Sequence, residues 1–248
     1  MVSLVDQPII LLHAFPLAPE MFDDLRMELK HSIHTPALPG FDDVLITSKQ
    51  PSMQAIAQSV IDYADEHQLD RFIVGGVSLG GYVVMELMRM AQDRLLAALL
   101  IDTKAGEDTP EGKVNRERIA ESALQHGTGI LLGAMLPPLT GKTTKLENPS
   151  VINRITEIFS QADPATIAWT SRAMMSRPES LTTLRNFDKP LLVIVGAEDE
   201  ISPVSDAQQM LDASMHGKLA IINQAGHLAV MEKPAQCAEE IENWLMQF

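Results

Sequence analysis

The segment Gly76-Val77-Ser78-Leu79-Gly80 places a serine between two glycines, each two residues away. It lies where the apolar run Phe72-Ile73-Val74 gives way to a second apolar stretch, Leu79 to Met90. A serine on a tight strand-to-helix turn needs small neighbours at those positions, so that the chain can fold sharply and present Oγ outward. A helix starting at Leu79 would aim its first amides at negative charge developing on an attacked carbonyl. A glycine-rich turn that only packs a helix close to a sheet has the same spacing; the strand-helix context favours the chemical reading.

A serine hydroxyl is a weak nucleophile and needs a base. Of seven histidines, His227 is the best placed, in the loop Gln224-Ala225-Gly226-His227-Leu228 after the apolar run Leu219 to Ile222. His31, His34, His67, His126 and His216 lack such a setting and read as solvated or core residues. The base in turn needs a buried carboxylate to orient it. Asp199, in Gly196-Ala197-Glu198-Asp199-Glu200 after the run ending at Val195, is the choice, with Glu198 and Glu200 as flanking solvent charges. Asp102, at the end of the run Leu96 to Ile101, is its rival. Asp23-Asp24 and Asp42-Asp43 read as surface charge. An oxyanion hole takes one amide from the residue after the nucleophile and one from a nearby loop. Leu79 and Phe15, in His13-Ala14-Phe15-Pro16 after the first apolar run, are placed to supply them, leaving His13 a structural role.

These residues sit at the ends of short, continuously apolar runs separated by helical patterns, which implies a parallel sheet covered on both faces. Ile9 to Leu12 is the first strand, and Ser32 to Thr35 is a short one bounded by Pro36 and Pro39. Met53, Ile56, Ala57, Val60, Ile61 and Ala64 recur at helical spacing. From Thr103 to Phe187 only helical segments are predicted, with Asp163-Pro164 and Arg177-Pro178 as helix starts. The expected division is therefore an α/β core, residues 1–102 and 188–248, with a helical cap at 103–187. The final helix, from Pro234, presents Ala235, Ala238, Ile241, Trp244 and Leu245 inward. Within the cap, Met135, Leu136, Phe159, Trp169, Met174 and Met175 are possible pocket residues, although cap core is the commoner fate of such side chains. Arg172 and Arg177 read as solvated surface.

The bulk figures bound the partners. The 248 residues carry a net charge of −14, which argues against nucleic acid and an anionic membrane face. The single cysteine, Cys237, falls on the apolar stripe of the last helix and reads as a buried, inert thiol in a reducing compartment. Neither a signal-peptide pattern nor an apolar run long enough to cross a bilayer is visible, so a cytoplasmic location is expected. His-Glu-x-x-His, cysteine clusters and glycine-rich phosphate loops are missing, so neither metal nor cofactor is expected.

Together these motifs resemble the α/β-hydrolase fold family, whose chain order is nucleophile, acid, histidine. His13-Ala14-Phe15-Pro16 resembles its His-Gly-x-Pro loop, with alanine replacing glycine, and Gly226-His227 its histidine loop. The resemblance is to the small esterase, enol-lactonase and cofactor-free perhydrolase group. It implies a mostly parallel sheet with a helical cap, and acyl transfer on small to medium esters through Ser78, His227 and Asp199. A lactonase, a carbon–carbon hydrolase, a perhydrolase and a receptor-like binding protein are the alternatives it leaves. The family's usual N-terminal β-hairpin is absent, so the short strand near Ser32 is expected to form the sheet's edge. The oligomeric state is not legible.

Overall fold

The structure, a computed structural model, describes residues 3–248. Six strands form one sheet: β1 (Ile9–Leu12), β2 (Ile33–His34), β3 (Phe72–Val77), β4 (Leu95–Ile101), β5 (Leu191–Gly196) and β6 (Gly217–Ile222). Their spatial order is β2-β1-β3-β4-β5-β6, and every adjacent pair is parallel. β1, β3, β4 and β5 are buried at every residue, as their unbroken apolar runs require between two helical layers. β2 pairs with β1 alone and closes one edge; among the described residues no strand lies outside it and no hairpin precedes β1.

The chain passes from β1 outward to β2, then crosses back over β1 to β3. The direction of winding therefore reverses between β1 and β3, which opens a crevice at their carboxyl ends. One helical layer contains α1 (Asp23–Glu28), continuing a single 3-10 turn at Pro19–Phe22, with α11 (Ala229–Glu232) and α12 (Pro234–Leu245). The other contains α2 (Met53–Glu66), α3 (Leu79–Met90), α9 (Leu181–Asn186) and α10 (Val204–Ala213). The apolar face of α2 is buried at Met53, Ile56, Ala57, Val60 and Ala64. On α12, Cys237 lies on the buried face as expected, whereas Ala235, expected to point inward, is exposed. Burial pushes the Cys237 thiol pKa up, with the carboxylates of Asp102, Glu232 and Glu240 adding to it.

Between β4 and β5 the chain makes α4 (Pro110–His126), α5 (Thr128–Met135), α6 (Lys142–Glu147), α7 (Pro149–Gln161) and α8 (Pro164–Met174) before α9. α4 packs on α5 and α8, and α7 on α5, α6 and the Pro19–Phe22 turn. Asp163 caps α8, accepting from the amides of Ala165 (2.7 Å) and Thr166 (3.2 Å). The helix expected from Arg177-Pro178 starts only at Leu181. The Ser180 amide donates instead to Ala105 C=O at 2.9 Å, which ties this segment to the chain leaving β4.

Candidate active site

Ser78 follows β3 and forms the N-cap of α3 with φ 53° and ψ −107°, a left-handed conformation that costs an ordinary residue on the order of 1–3 kcal/mol. Both of its main-chain groups are fastened. Its N–H donates to Ile101 C=O (2.9 Å), and its C=O accepts from Thr103 Oγ1 (2.8 Å). The flanking glycines are required by contact: a Cβ on Gly76 would overlap the Gly80 carbonyl, and one on Gly80 the Leu12 carbonyl. The residues around Ser78 in this turn are buried, and Ser78 alone is half-exposed.

His227 reaches Ser78 from the loop after β6, across the ends of β4 and β5. Its Nε2 lies 2.8 Å from Ser78 Oγ, and its Nδ1 lies 2.9 Å from Asp199 Oδ2. An ionised carboxylate only accepts, so Nδ1 carries the proton and Nε2 is free to accept the serine hydroxyl. Asp199 also accepts from the amides of Ile201 (2.8 Å) and Ser202 (3.0 Å) and from Ser202 Oγ (2.7 Å). Burial works against its ionisation. The hydrogen bond and charge of His227, with the Ser202 bonds, outweigh that and hold its pKa below the ordinary aspartate value. Ser202, 1% exposed, also lies 3.2 Å from His227 Nδ1. Sequence reasoning passed over it; its signal is a hydroxyl three residues after the acid, the spacing of a side chain folded back onto a turn.

Asp102 is not at the imidazole. Its Oδ1 accepts from the Gly196 amide and its Oδ2 from the Ala229 amide, both at 2.8 Å, so it ties β5 to α11. Complete burial and the neighbouring Asp199 charge push its pKa well up. His13 is likewise internal. Its Nε2 accepts from the Leu38 amide (3.0 Å) and its Nδ1 donates to Ala14 C=O (3.1 Å). Burial lowers its pKa to about 4 against the opposing pull of the Ala14 bond. The loop it holds carries Phe15, whose N–H donates to no backbone acceptor among the described residues. Leu79 opens α3, so its N–H has no acceptor within the helix. A cleft of about 230 Å³ opens beside Pro16, rimmed by Phe41, Asp42, Asp43, Ile158 and Asp163.

The side chains singled out in the insertion have different fates. Met174 is 2% exposed and its Sδ lies 3.2 Å from Arg116 Nη1. Trp169 is half-buried and its indole N–H donates to Ser48 C=O (3.2 Å); Met135 is half-buried against the core. Two expected solvent charges are corrected. Arg177 is 5% exposed, stacked 4.2 Å from the Tyr82 ring centroid and paired with Asp108 at 2.8 Å, because it is held between the insertion's own Asp108 and Tyr82 of α3. Glu198 accepts from the Thr143 amide (2.8 Å) and Thr143 Oγ1 (2.7 Å), so it fastens α6 to the acid loop. Among the described residues no three His, Cys, Asp or Glu side chains are grouped to hold a metal, and no helix is long and apolar enough to cross a membrane.

The sequence pattern of the Alpha/beta hydrolase family matches residues 9–240. The chain belongs to that family. A thermophilic esterase from Thermogutta terrifontis, solved with malate bound, is 33% identical and superposes with a TM-score of 0.93, covering 97% of this chain and 90% of that one. The enol-lactonase from Burkholderia xenovorans shares the fold, with a TM-score of 0.88 and 21% identity over 97% of this chain and 91% of that one. A pimeloyl-[acyl-carrier protein] methyl ester esterase from Aromatoleum aromaticum is 22% identical over 95% of this chain and 96% of its own length.

Proposed function

We propose that this member of the family is a serine hydrolase that cleaves carboxylic esters of small to medium size through an acyl-enzyme on Ser78. The observation that carries the reading is the continuous line Ser78 Oγ, His227 and Asp199, with separations of 2.8 and 2.9 Å. Two of the similar proteins named above are esterases, which supports an ester as the substrate class.

In this reading His227 Nε2 takes the Ser78 proton as Oγ bonds to the ester carbonyl carbon. The carbonyl π electrons move onto oxygen, where the N–H groups of Phe15 and Leu79 stabilise them. The tetrahedral species collapses, the bond to the alcohol oxygen breaks, and the imidazolium proton passes to that oxygen. Water then gives a proton to His227 while its oxygen attacks the acyl carbon; the second tetrahedral species collapses, the bond from that carbon to Ser78 Oγ breaks, and the proton passes from His227 to Oγ as the carboxylic acid leaves. Asp199 keeps the imidazole in the tautomer that accepts from serine and stabilises the imidazolium. The insertion, proposed as a cap at 103–187, would wall the acyl group with Met135, Trp169 and Met174.

Hydrolysis of p-nitrophenyl acetate, butyrate and decanoate by the wild type and Ser78→Ala tests this. Turnover that falls with chain length and vanishes in the variant is expected. Undiminished turnover by Ser78→Ala, or none by the folded wild type on any of the three, would sink the reading.

A further inference from the structure

Glu232, the last residue of α11, is 5% exposed and accepts four hydrogen bonds. Its Oε1 accepts from the amides of Gly226 (2.9 Å) and Leu228 (3.2 Å), the two residues that flank His227. Its Oε2 accepts from the Gly141 amide (2.8 Å) and Thr144 Oγ1 (2.6 Å), at the start of α6 in the insertion. One carboxylate thus bridges two segments distant in sequence. Their backbones touch as well: a Cβ on Gly226 would overlap the Gly141 amide. Glu198, beside Asp199, grips the amide and hydroxyl of Thr143 in the same first turn. The loops that carry Asp199 and His227 are therefore fastened, through two different carboxylates, to one helix of the insertion.

We infer that Glu232 is a positioning residue for His227 and that it works only while α6 is docked. The insertion is then part of what sets the geometry at Ser78, besides any role in walling substrate. Charge-assisted bonds on both sides of one carboxylate make its position a compromise between the two segments, so loosening either side moves the other. The inference rests on His227 being the base.

Thr144→Val removes one donor from the insertion side while keeping the residue's volume, and it touches no group at Ser78. It is expected to lower kcat on p-nitrophenyl acetate about tenfold with KM within about twofold, because small misplacements of reacting groups cost rate more than binding. Thr144→Ser, which keeps the hydroxyl, should restore the rate. Glu232→Gln, which turns an N–H group toward N–H donors, should cost about a hundredfold in kcat. Folding is checked by circular dichroism and thermal melting; if Glu232→Gln does not fold, the Thr144 pair decides. Wild-type kcat in folded Thr144→Val, or a loss confined to KM, would overturn the coupling. A wild-type protein that fails to react with a fluorophosphonate would instead sink the Ser78 reading, and the coupling with it.

Discussion

At the scale of single residues, the strain at Ser78 is sustained by what surrounds it. Its amide and carbonyl are bonded to Ile101 and Thr103, and the space beside the turn is closed to any Cβ at Gly76 or Gly80. The position of Asp199 is equally determined, since its carboxylate has four donors on two oxygens. Asp199→Asn should leave Ser78 in place but favour the wrong imidazole tautomer, lowering kcat on p-nitrophenyl acetate by about 10³–10⁴. A variant within tenfold of the wild type would contradict that role. Ser202→Ala removes one bond to a charged oxygen and should cost about tenfold in kcat, with the protein still labelled by a fluorophosphonate; an unchanged kcat would make Ser202 structural only. That Ser78, His227 and Asp199 would meet was legible because each follows an apolar strand in a short loop that contains glycine. Glu232 was not, because an isolated carboxylate has no spacing signal until the fold shows which amides face it, and the only signal for Ser202 was its place three residues after Asp199. Glu232 directly follows the apolar run Leu228 to Met231, and a carboxylate closing such a run was the one available hint.

At the scale of elements, the loops at the carboxyl ends of β1, β3, β5 and β6 are held by internal polar groups, and His13 is the clearest of these. It cross-links the loop after β1 to Leu38 as a neutral imidazole with its pKa lowered to about 4. A histidine that resists protonation in the folded state is protonated first in the unfolded chain. Its contribution is therefore undiminished above pH 6.5, is lost as pH falls from there to about 4, and changes no further below. The loss amounts to about 3 kcal/mol. Urea titrations at neutral and acid pH, wild type against His13→Gln, should show a steeper acid loss in the wild type across that window; parallel curves would contradict the assignment. Strands and the helices α2, α3 and α12 were legible from apolar runs and helical periodicity. The start of α9 was not. Arg177-Pro178 has the form of a helix start, but Arg177 is drawn inward onto Tyr82 and Asp108, and Ser180 bonds to Ala105. Tertiary contacts decided there, and local sequence does not record them.

At the scale of the whole molecule, winding reversal between β1 and β3 brings the Phe15 and Ser78 loops to one crevice, while β5 and β6 bring Asp199 and His227 across from the other side. That arrangement follows from the parallel order, which the alternation of strands and helices already implied. The contacts between insertion and core were not legible, because they join Glu198 and Glu232 to a helix whose own residues, Lys142–Glu147, show no apolar face pointing to them. The net charge of −14 gives the molecule as a whole a field that repels anions, and Asp42, Asp43 and Asp163 rim the cleft beside Pro16, which follows Phe15 in the chain. Added salt should therefore raise kcat/KM for an anionic ester such as mono-p-nitrophenyl succinate by about two- to fivefold while leaving p-nitrophenyl acetate unchanged. Equal salt responses for the two esters would show that the field does not reach the site. The nucleophile itself is tested most directly by mass spectrometry of the protein after reaction with a fluorophosphonate. A single phosphonyl adduct on the peptide containing Ser78, absent from Ser78→Ala, is the expected result. An adduct on another residue, or none on the folded wild type, would contradict Ser78 as the nucleophile.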